Sequence, residues 1–129
     1  QLVATRMKAS GGGTLLHISS GAAVHPEPPT PDGPPPMFRE ELVYAMTKAA
    51  LDRFSTGIAR EMMAANIASV SLWPGFTLTE RFQIKPPPGM DLADAESPDG
   101  CARAAVMICR NPMAYNGRVV TWQEVVHGR

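Results

Sequence analysis

Ile67-Ala68-Ser69-Val70-Ser71-Leu72-Trp73-Pro74-Gly75 decides the fold. Seven uncharged residues end at a Pro-Gly pair. A short run of this kind bounded by a turn signal is the pattern of a strand buried on both faces. Residues 39–65, just upstream, carry the longest helical pattern, with Leu51, Phe54, Ile58 and Met62 as its apolar stripe. Ala45, Ala49 and Ala50 allow close packing of that helix. Asn66 suits a left-handed stop between helix and strand.

Working outward, residues 14–19 read as another buried strand. Gly11-Gly12-Gly13 separates it from a helix over 1–9, whose late Arg6 and Lys8 suit the negative end of a helix dipole. On the far side, Ser97-Pro98 opens a helix, with Ser97 as cap and Pro98 in the first turn. Ala102, Ala105, Val106 and Cys109 are its expected buried face. Asn116-Gly117 predicts a turn, and Arg118-Val119-Val120-Thr121-Trp122 a last strand. Strands alternating with helices of this length predict an α/β fold with a parallel sheet. There are no internal repeats.

Two stretches are irregular. Residues 21–37 include His25-Pro26-Glu27-Pro28-Pro29-Thr30-Pro31-Asp32-Gly33-Pro34-Pro35-Pro36, which excludes regular helix and central strand. It reads as an extended surface excursion that reaches the rim of any pocket between its flanking elements. Residues 80–96, centred on Pro86-Pro87-Pro88-Gly89, read as a second loop.

Length and composition bound the function. The chain has 129 residues, which suits one domain, and is 44% hydrophobic, enough for a core. Twelve basic and twelve acidic residues balance, with no basic patch to mark nucleic acid as a partner. Apolar runs are too short to span a membrane, and no secretory signal opens the chain. Cys101 and Cys109, on one predicted helix, are too far apart for a disulfide, so buried thiols in a reducing, cytoplasmic setting are expected. His17, His25 and His127 are scattered, and no His/Cys cluster has metal-ligand spacing. The start at Gln1-Leu2-Val3 reads as the tail of a helix, so a fragment is expected.

Chemistry concentrates in two places. Tyr44 and Lys48 are four apart on the long helix and share a face, about 6 Å apart along the axis at ~1.5 Å per residue. An ammonium there favours the phenolate and pulls the phenol's pKa down from about 10. A hydroxyl such as that of Ser20, at the end of the 14–19 strand, would hold a substrate oxygen while Tyr44 exchanges a proton with it, which is acid–base chemistry at a carbonyl or alcohol. Tyr44-x-x-x-Lys48 alone is a weak signal, since ordinary helices carry it.

The surrounding pieces make it stronger. Gly12-Gly13-Thr14 through Ile18-Ser19-Ser20, Tyr44-Ala45-Met46-Thr47-Lys48-Ala49-Ala50-Leu51, Val70 through Pro74-Gly75-Phe76-Thr77-Leu78-Thr79, and Ser97-Pro98 followed by Asn116-Gly117-Arg118-Val119 resemble, in order, the short-chain dehydrogenase/reductase family. The resemblance covers nearly the whole chain but only the C-terminal half of the family's domain. It implies a partial Rossmann-type, doubly wound parallel sheet, with residues 1–129 as the C-terminal portion of one NAD(P)-binding domain and 21–37 as a Pro-rich insertion.

It also implies roles. Ser20 would orient the substrate oxygen. Tyr44 would be the general acid in reduction and the base in oxidation. Lys48 would bind the nicotinamide ribose and tune Tyr44. Pro74 and Gly75 would line the nicotinamide pocket, with Thr77 and Thr79 contacting the cofactor's amide and phosphates, and 80–96 would be a mobile substrate loop. Of the adjacent serines only one can face the site; the family pattern selects Ser20 over Ser19.

The cofactor would be NAD or NADP, the substrate a small carbonyl or alcohol, and the full-length assembly a dimer or tetramer paired through the 39–65 helix. Two departures stand out. Twenty-four residues separate Ser20 from Tyr44, more than the family's usual spacing, and the Pro-rich insertion accounts for the excess. The phosphate-cradling Gly-rich turn should follow a strand and open a helix; Gly11-Gly12-Gly13 precedes a strand instead. The chain would therefore hold the reaction centre without most of the cofactor site, and would be inactive alone. Two other classes compete: a non-catalytic interaction subunit with an unpaired sheet edge, and a Pro-rich ligand for an SH3- or WW-type partner resting on residues 26–36.

Overall fold

The computed structural model describes residues 2–24, 42–86 and 91–128. Elements follow in the order α1 (Leu2–Ala9), β1 (Gly13–Ile18), α2 (Leu42–Met62), β2 (Ile67–Trp73), α3 (Glu80–Ile84), α4 (Pro98–Arg110), β3 (Val119–Thr121) and α5 (Trp122–His127). Among the described residues the sheet has the order β1-β2-β3, and both pairings are parallel. The register sets Ile18 beside Leu72 and Trp73 beside Thr121. All three strands therefore present their carboxyl ends on one side.

β2 is central and its first six residues are fully buried, as its uncharged sequence requires. Its two faces differ in chemistry because strand residues alternate. Val70 and Leu72 join Ala104 and Ile108 of α4, Val120 and Val125 in the apolar core, with Leu16 packed against it. Burying each of the larger side chains contributes roughly 1.5–3 kcal/mol. The opposite face is small and polar at its middle, where Ser69 and Ser71 lie between Ile67 and Trp73: Ser69 Oγ lies 3.1 Å from Ser55 Oγ of α2 and 3.1 Å from His17 Nε2. Small side chains on both partners let α2 lie close to the sheet, which brings α2 side chains to the strand ends.

The expected stripe of α2 is corrected by this packing. Ser55 and Ala59 are its buried residues, Phe54 is 54% exposed, and Leu51, Ile58 and Met62 are partly buried. The face of α4 is corrected likewise: Ala104 and Ile108 are buried, Ala105 packs at the margin, and Ala102, Val106 and Cys109 are exposed. Apolar residues run almost without a break from Cys101 to Cys109, so the sequence offers several faces. Contact with Val70, Leu72 and Val120 chooses one.

Other boundaries match the sequence closely. Asn66 takes the left-handed conformation, φ 56°. Ser97 caps α4 by accepting from Asp99 N at 3.2 Å. Trp122 leaves the predicted last strand and starts α5, which Thr121 and Glu124 open with a reciprocal capping box. The 80–96 segment contains α3 and a 3₁₀ turn at Leu92–Asp94, so it is less irregular than expected. Gly21–Ala23 is likewise a 3₁₀ turn. Residues 25–41, which hold most of the Pro-rich stretch and the first positions of the predicted long helix, lie outside the described residues, as do 87–90.

Candidate active site

Ligands of open parallel sheets bind outside the carboxyl ends of the strands. Here Ser19-Ser20, Pro74-Gly75 and Trp122 leave the sheet together on that side. Ser19 continues the pairing, donating its backbone N–H to Leu72 O at 2.9 Å. Its side chain is buried and donates to the backbone carbonyl of Lys48 at 3.3 Å. Ser20 is extended, partly exposed, and caps the Gly21–Ala23 turn by accepting from Ala22 N at 3.2 Å. The two serines thus divide: Ser19 is spent on α2, and Ser20 sits at the open strand end.

The Lys48 ammonium donates to the carbonyl of Ile18 at 2.8 Å. With the Ser19 bond, it stitches α2 to the end of β1 at two points of a single residue. One turn earlier stands Tyr44, 42% exposed, its ring centroid 5.6 Å from Lys48 Nζ. The structure therefore brings Tyr44, Lys48 and the Ser19-Ser20 strand end to one place.

One turn after Lys48, Asp52 accepts from Trp73 Nε1 at 3.1 Å, fixing the last residue of β2 against α2. Its other oxygen, Oδ1, is buried with no hydrogen-bond partner among the described residues, as is Ser71 Oγ. Burial pushes the His17 imidazole below its ordinary pKa of 6.5, against an upward pull from the Asp52 carboxylate. His17 also stands edge-on to Phe54, with centroids 5.8 Å apart. Its place is structural, between Ser69 and α2.

Beyond β2, Gly75 has φ +73°, the left-handed region that glycine reaches without strain. Thr77 Oγ1 donates to Pro74 O at 2.9 Å, closing the turn. Thr79 is exposed at the start of α3, where its side chain makes no capping hydrogen bond. Of the six residues expected around a cofactor, Tyr44 and Lys48 stand together on α2, Pro74, Gly75 and Thr77 form one tight loop after β2, and Thr79 stands just past it.

Two acidic residues escaped the sequence reading. Asp52 carried a legible signal, since it is four residues after Lys48 on the same helix. Glu96 carried none. It accepts from Trp122 Nε1 at 2.8 Å and from Gln123 Nε2 at 3.0 and 3.1 Å, partners far along the chain. Among the described residues no cluster of three or more His, Cys, Asp or Glu could hold a metal ion, and no helix is long and apolar enough to cross a membrane.

No family model matches the chain. Over 87 residues it is 32% identical to very-long-chain 3-oxoacyl-CoA reductase-A of Danio rerio, a match covering 67% of this chain and 24% of that protein. Over 126 residues it is 28% identical to dehydrogenase/reductase SDR family member 1 of Mus musculus, covering 85% of this chain and 35% of that one. A solved 7α-hydroxysteroid dehydrogenase, complexed with NADH and 7-oxo glycochenodeoxycholic acid, matches with a TM-score of 0.73 at 25% identity, over 94% of this chain and 47% of that chain.

The chain belongs to the short-chain dehydrogenase/reductase family.

An L-sorbose reductase from Gluconobacter frateurii, complexed with NADPH and L-sorbose, shares the short-chain fold with a TM-score of 0.69 at 25% identity, over 92% of this chain and 48% of that chain. This short-chain family chain therefore spans about half the length of these solved structures and a smaller share of the curated relatives it matches. Its parallel sheet is the expected Rossmann-type arrangement.

Proposed function

We propose that residues 1–129 are the carboxy-terminal, reaction-centre portion of an NAD(P)-dependent oxidoreductase that interconverts a small carbonyl and its alcohol. The observation that carries this reading is Lys48. It is anchored on the Ile18 carbonyl at 2.8 Å with the Tyr44 ring centroid 5.6 Å away. In this reading Tyr44 is the general acid in reduction and the base in oxidation, and Ser20 orients the substrate oxygen. The Lys48 ammonium supplies positive charge beside the phenol as its proton leaves.

The residues present suit a nicotinamide cofactor. Lys48 commits one of its three N–H donors to Ile18 and keeps two for ribose hydroxyls. Pro74 and Gly75 form the nicotinamide wall, and Thr77 and Thr79 follow it at the loop's exit. When bound, NAD or NADP supplies the hydride chemistry, and the protein supplies geometry and proton transfer.

The solved relatives, complexed with NADH and 7-oxo glycochenodeoxycholic acid and with NADPH and L-sorbose, support the cofactor class and a small-molecule substrate. Leu42, Val43, Met46 and Phe54 of α2 are exposed apolar residues, which supports pairing of whole-protein copies through this helix. Two free cysteines suit a reducing, cytoplasmic setting.

The test uses the full-length natural protein. Oxidation of NADH and of NADPH is followed against a panel of ketones and aldehydes, in wild type and Tyr44→Phe. Turnover that collapses in Tyr44→Phe while cofactor binding persists is the expected result. Undiminished turnover in Tyr44→Phe would overturn the assignment of Tyr44, and absence of cofactor binding would leave the non-catalytic subunit as the better reading.

A further inference from the structure

We infer that Glu96 is a positioning residue for the nicotinamide wall at Pro74-Gly75, an inference that rests on the cofactor reading above. Three segments distant in sequence meet at this one residue. Its backbone forms the return side of a parallel bridge with Thr77: Glu96 N donates to Phe76 O at 2.7 Å, and Leu78 N donates to Glu96 O at 2.8 Å. Those two bonds close the mouth of the excursion that carries α3. Its carboxylate accepts from Trp122 Nε1 at 2.8 Å and from Gln123 Nε2 at 3.0 and 3.1 Å, so both oxygens are engaged with the first two residues of α5. Hydrogen bonds to an ionised acceptor are the strong ones.

The contact with the wall is steric. A Cβ on Gly75 would stand 2.8 Å from Glu96 Oε2 and 3.4 Å from Trp122 Nε1. The Gly75 backbone therefore rests directly on the carboxylate and its indole partner. Trp122 is itself seated on α4, because a Cβ on Gly100 would stand 2.6 Å from its ring. The loop after β2 is thus fixed from below by a chain of contacts running Gly75, Glu96, Trp122, Gly100. Glu96 acts through the backbone of Gly75 and Thr77, which sets where a nicotinamide ring can lie.

The experiment compares wild-type, Glu96→Ala and Glu96→Gln full-length protein. Affinity is measured for the preferred reduced cofactor and for the matching ADP-ribose, which lacks the nicotinamide. The two indole N–H resonances report the state of Trp73 and Trp122. Glu96→Ala is expected to weaken the reduced cofactor about tenfold and ADP-ribose less than about twofold, with the Trp122 N–H signal shifted and that of Trp73 unmoved. Glu96→Gln keeps an oxygen for Trp122 and an amide for a turned Gln123, and should recover most of the affinity.

Equal loss for both ligands would mean a general structural role and would overturn the inference. So would unchanged cofactor affinity in Glu96→Ala beside a shifted Trp122 signal; the cofactor reading would stand in both cases. If Glu96→Ala does not fold, Trp122→Phe, which keeps a ring on Gly100 but removes the N–H that Glu96 accepts from, decides in its place: a loss confined to the nicotinamide-bearing ligand supports positioning, and wild-type affinity for both ligands refutes it. Wild type that binds neither cofactor would overturn the reading and the inference together.

Discussion

Replacing Gly75 with alanine should destabilise the protein by two separable effects. Gly75 has φ +73°, and an L-residue held in the left-handed region costs roughly 1–2 kcal/mol. The new methyl would also stand 2.8 Å from Glu96 Oε2, closer than real contacts allow, so the carboxylate must move. Moving it weakens its bonds to Trp122 and Gln123, and each hydrogen bond to a charged group is worth about 1.5–3 kcal/mol. Loss of one such bond plus the backbone cost gives about 2.5–5 kcal/mol for Gly75→Ala.

Gly11 is the internal control. It has φ +85° with nothing within 4 Å of a Cβ, so Gly11→Ala should cost only the backbone part, about 1–2 kcal/mol. Urea unfolding of both variants, followed by circular dichroism, measures the difference. A third variant, Gly75→Ala on a Glu96→Ala background, removes the obstructing carboxylate and should bring the added cost back to that of Gly11→Ala. Equal destabilisation by Gly75→Ala and Gly11→Ala would refute the contact between the loop and Glu96.

Three further expectations follow from the packing. Burial lowers the pKa of His17 below 6.5, so as pH falls through 6.5 the unfolded chain takes up a proton before the folded one does, and stability declines towards the lower folded value. Melting temperatures from about pH 7.5 to about pH 5.5 should fall less for His17→Gln than for wild type; parallel slopes would contradict this. Burial raises the pKa of the Cys101 thiol, whereas Cys109 is exposed, so iodoacetamide should alkylate Cys109 first, as read by peptide mass spectrometry. Ile108→Ala should cost about 2–5 kcal/mol, while Val106→Ala stays within about 0.5 kcal/mol; the reverse order in urea unfolding would restore the face of α4 read from sequence.

Local chemistry made much of this fold readable. β2 could be bounded because its uncharged run is flanked by Asn66 and Pro74-Gly75, each with a conformational reason to stop a regular element. Ser97 and Pro98 marked the start of α4 through capping alone. Helix faces were harder. On α2 the sheet is met by Ser55 and Ala59, since β2 offers serines there, and an apolar stripe is the wrong guide to a small polar interface. α5 was missed although Thr121 and Glu124 spell a capping box and Gly128 a left-handed stop. At the candidate site, the closeness of Tyr44 and Lys48 was legible through helical spacing. Glu96 was not, because its partners at Gly75, Trp122 and Gln123 meet only after three segments have folded together.

In the proposed reaction a hydride passes between nicotinamide and a carbonyl carbon under acid–base control by Tyr44. The most direct measurement incubates the full-length protein with a responsive ketone or aldehyde and NADH or NADPH carrying deuterium at C4, then weighs the alcohol. One deuterium on the carbinol carbon in wild type, and almost none formed by Tyr44→Phe, is the predicted result. Alcohol formed without deuterium from either face of the labelled cofactor, or formed equally well by Tyr44→Phe, would contradict the account.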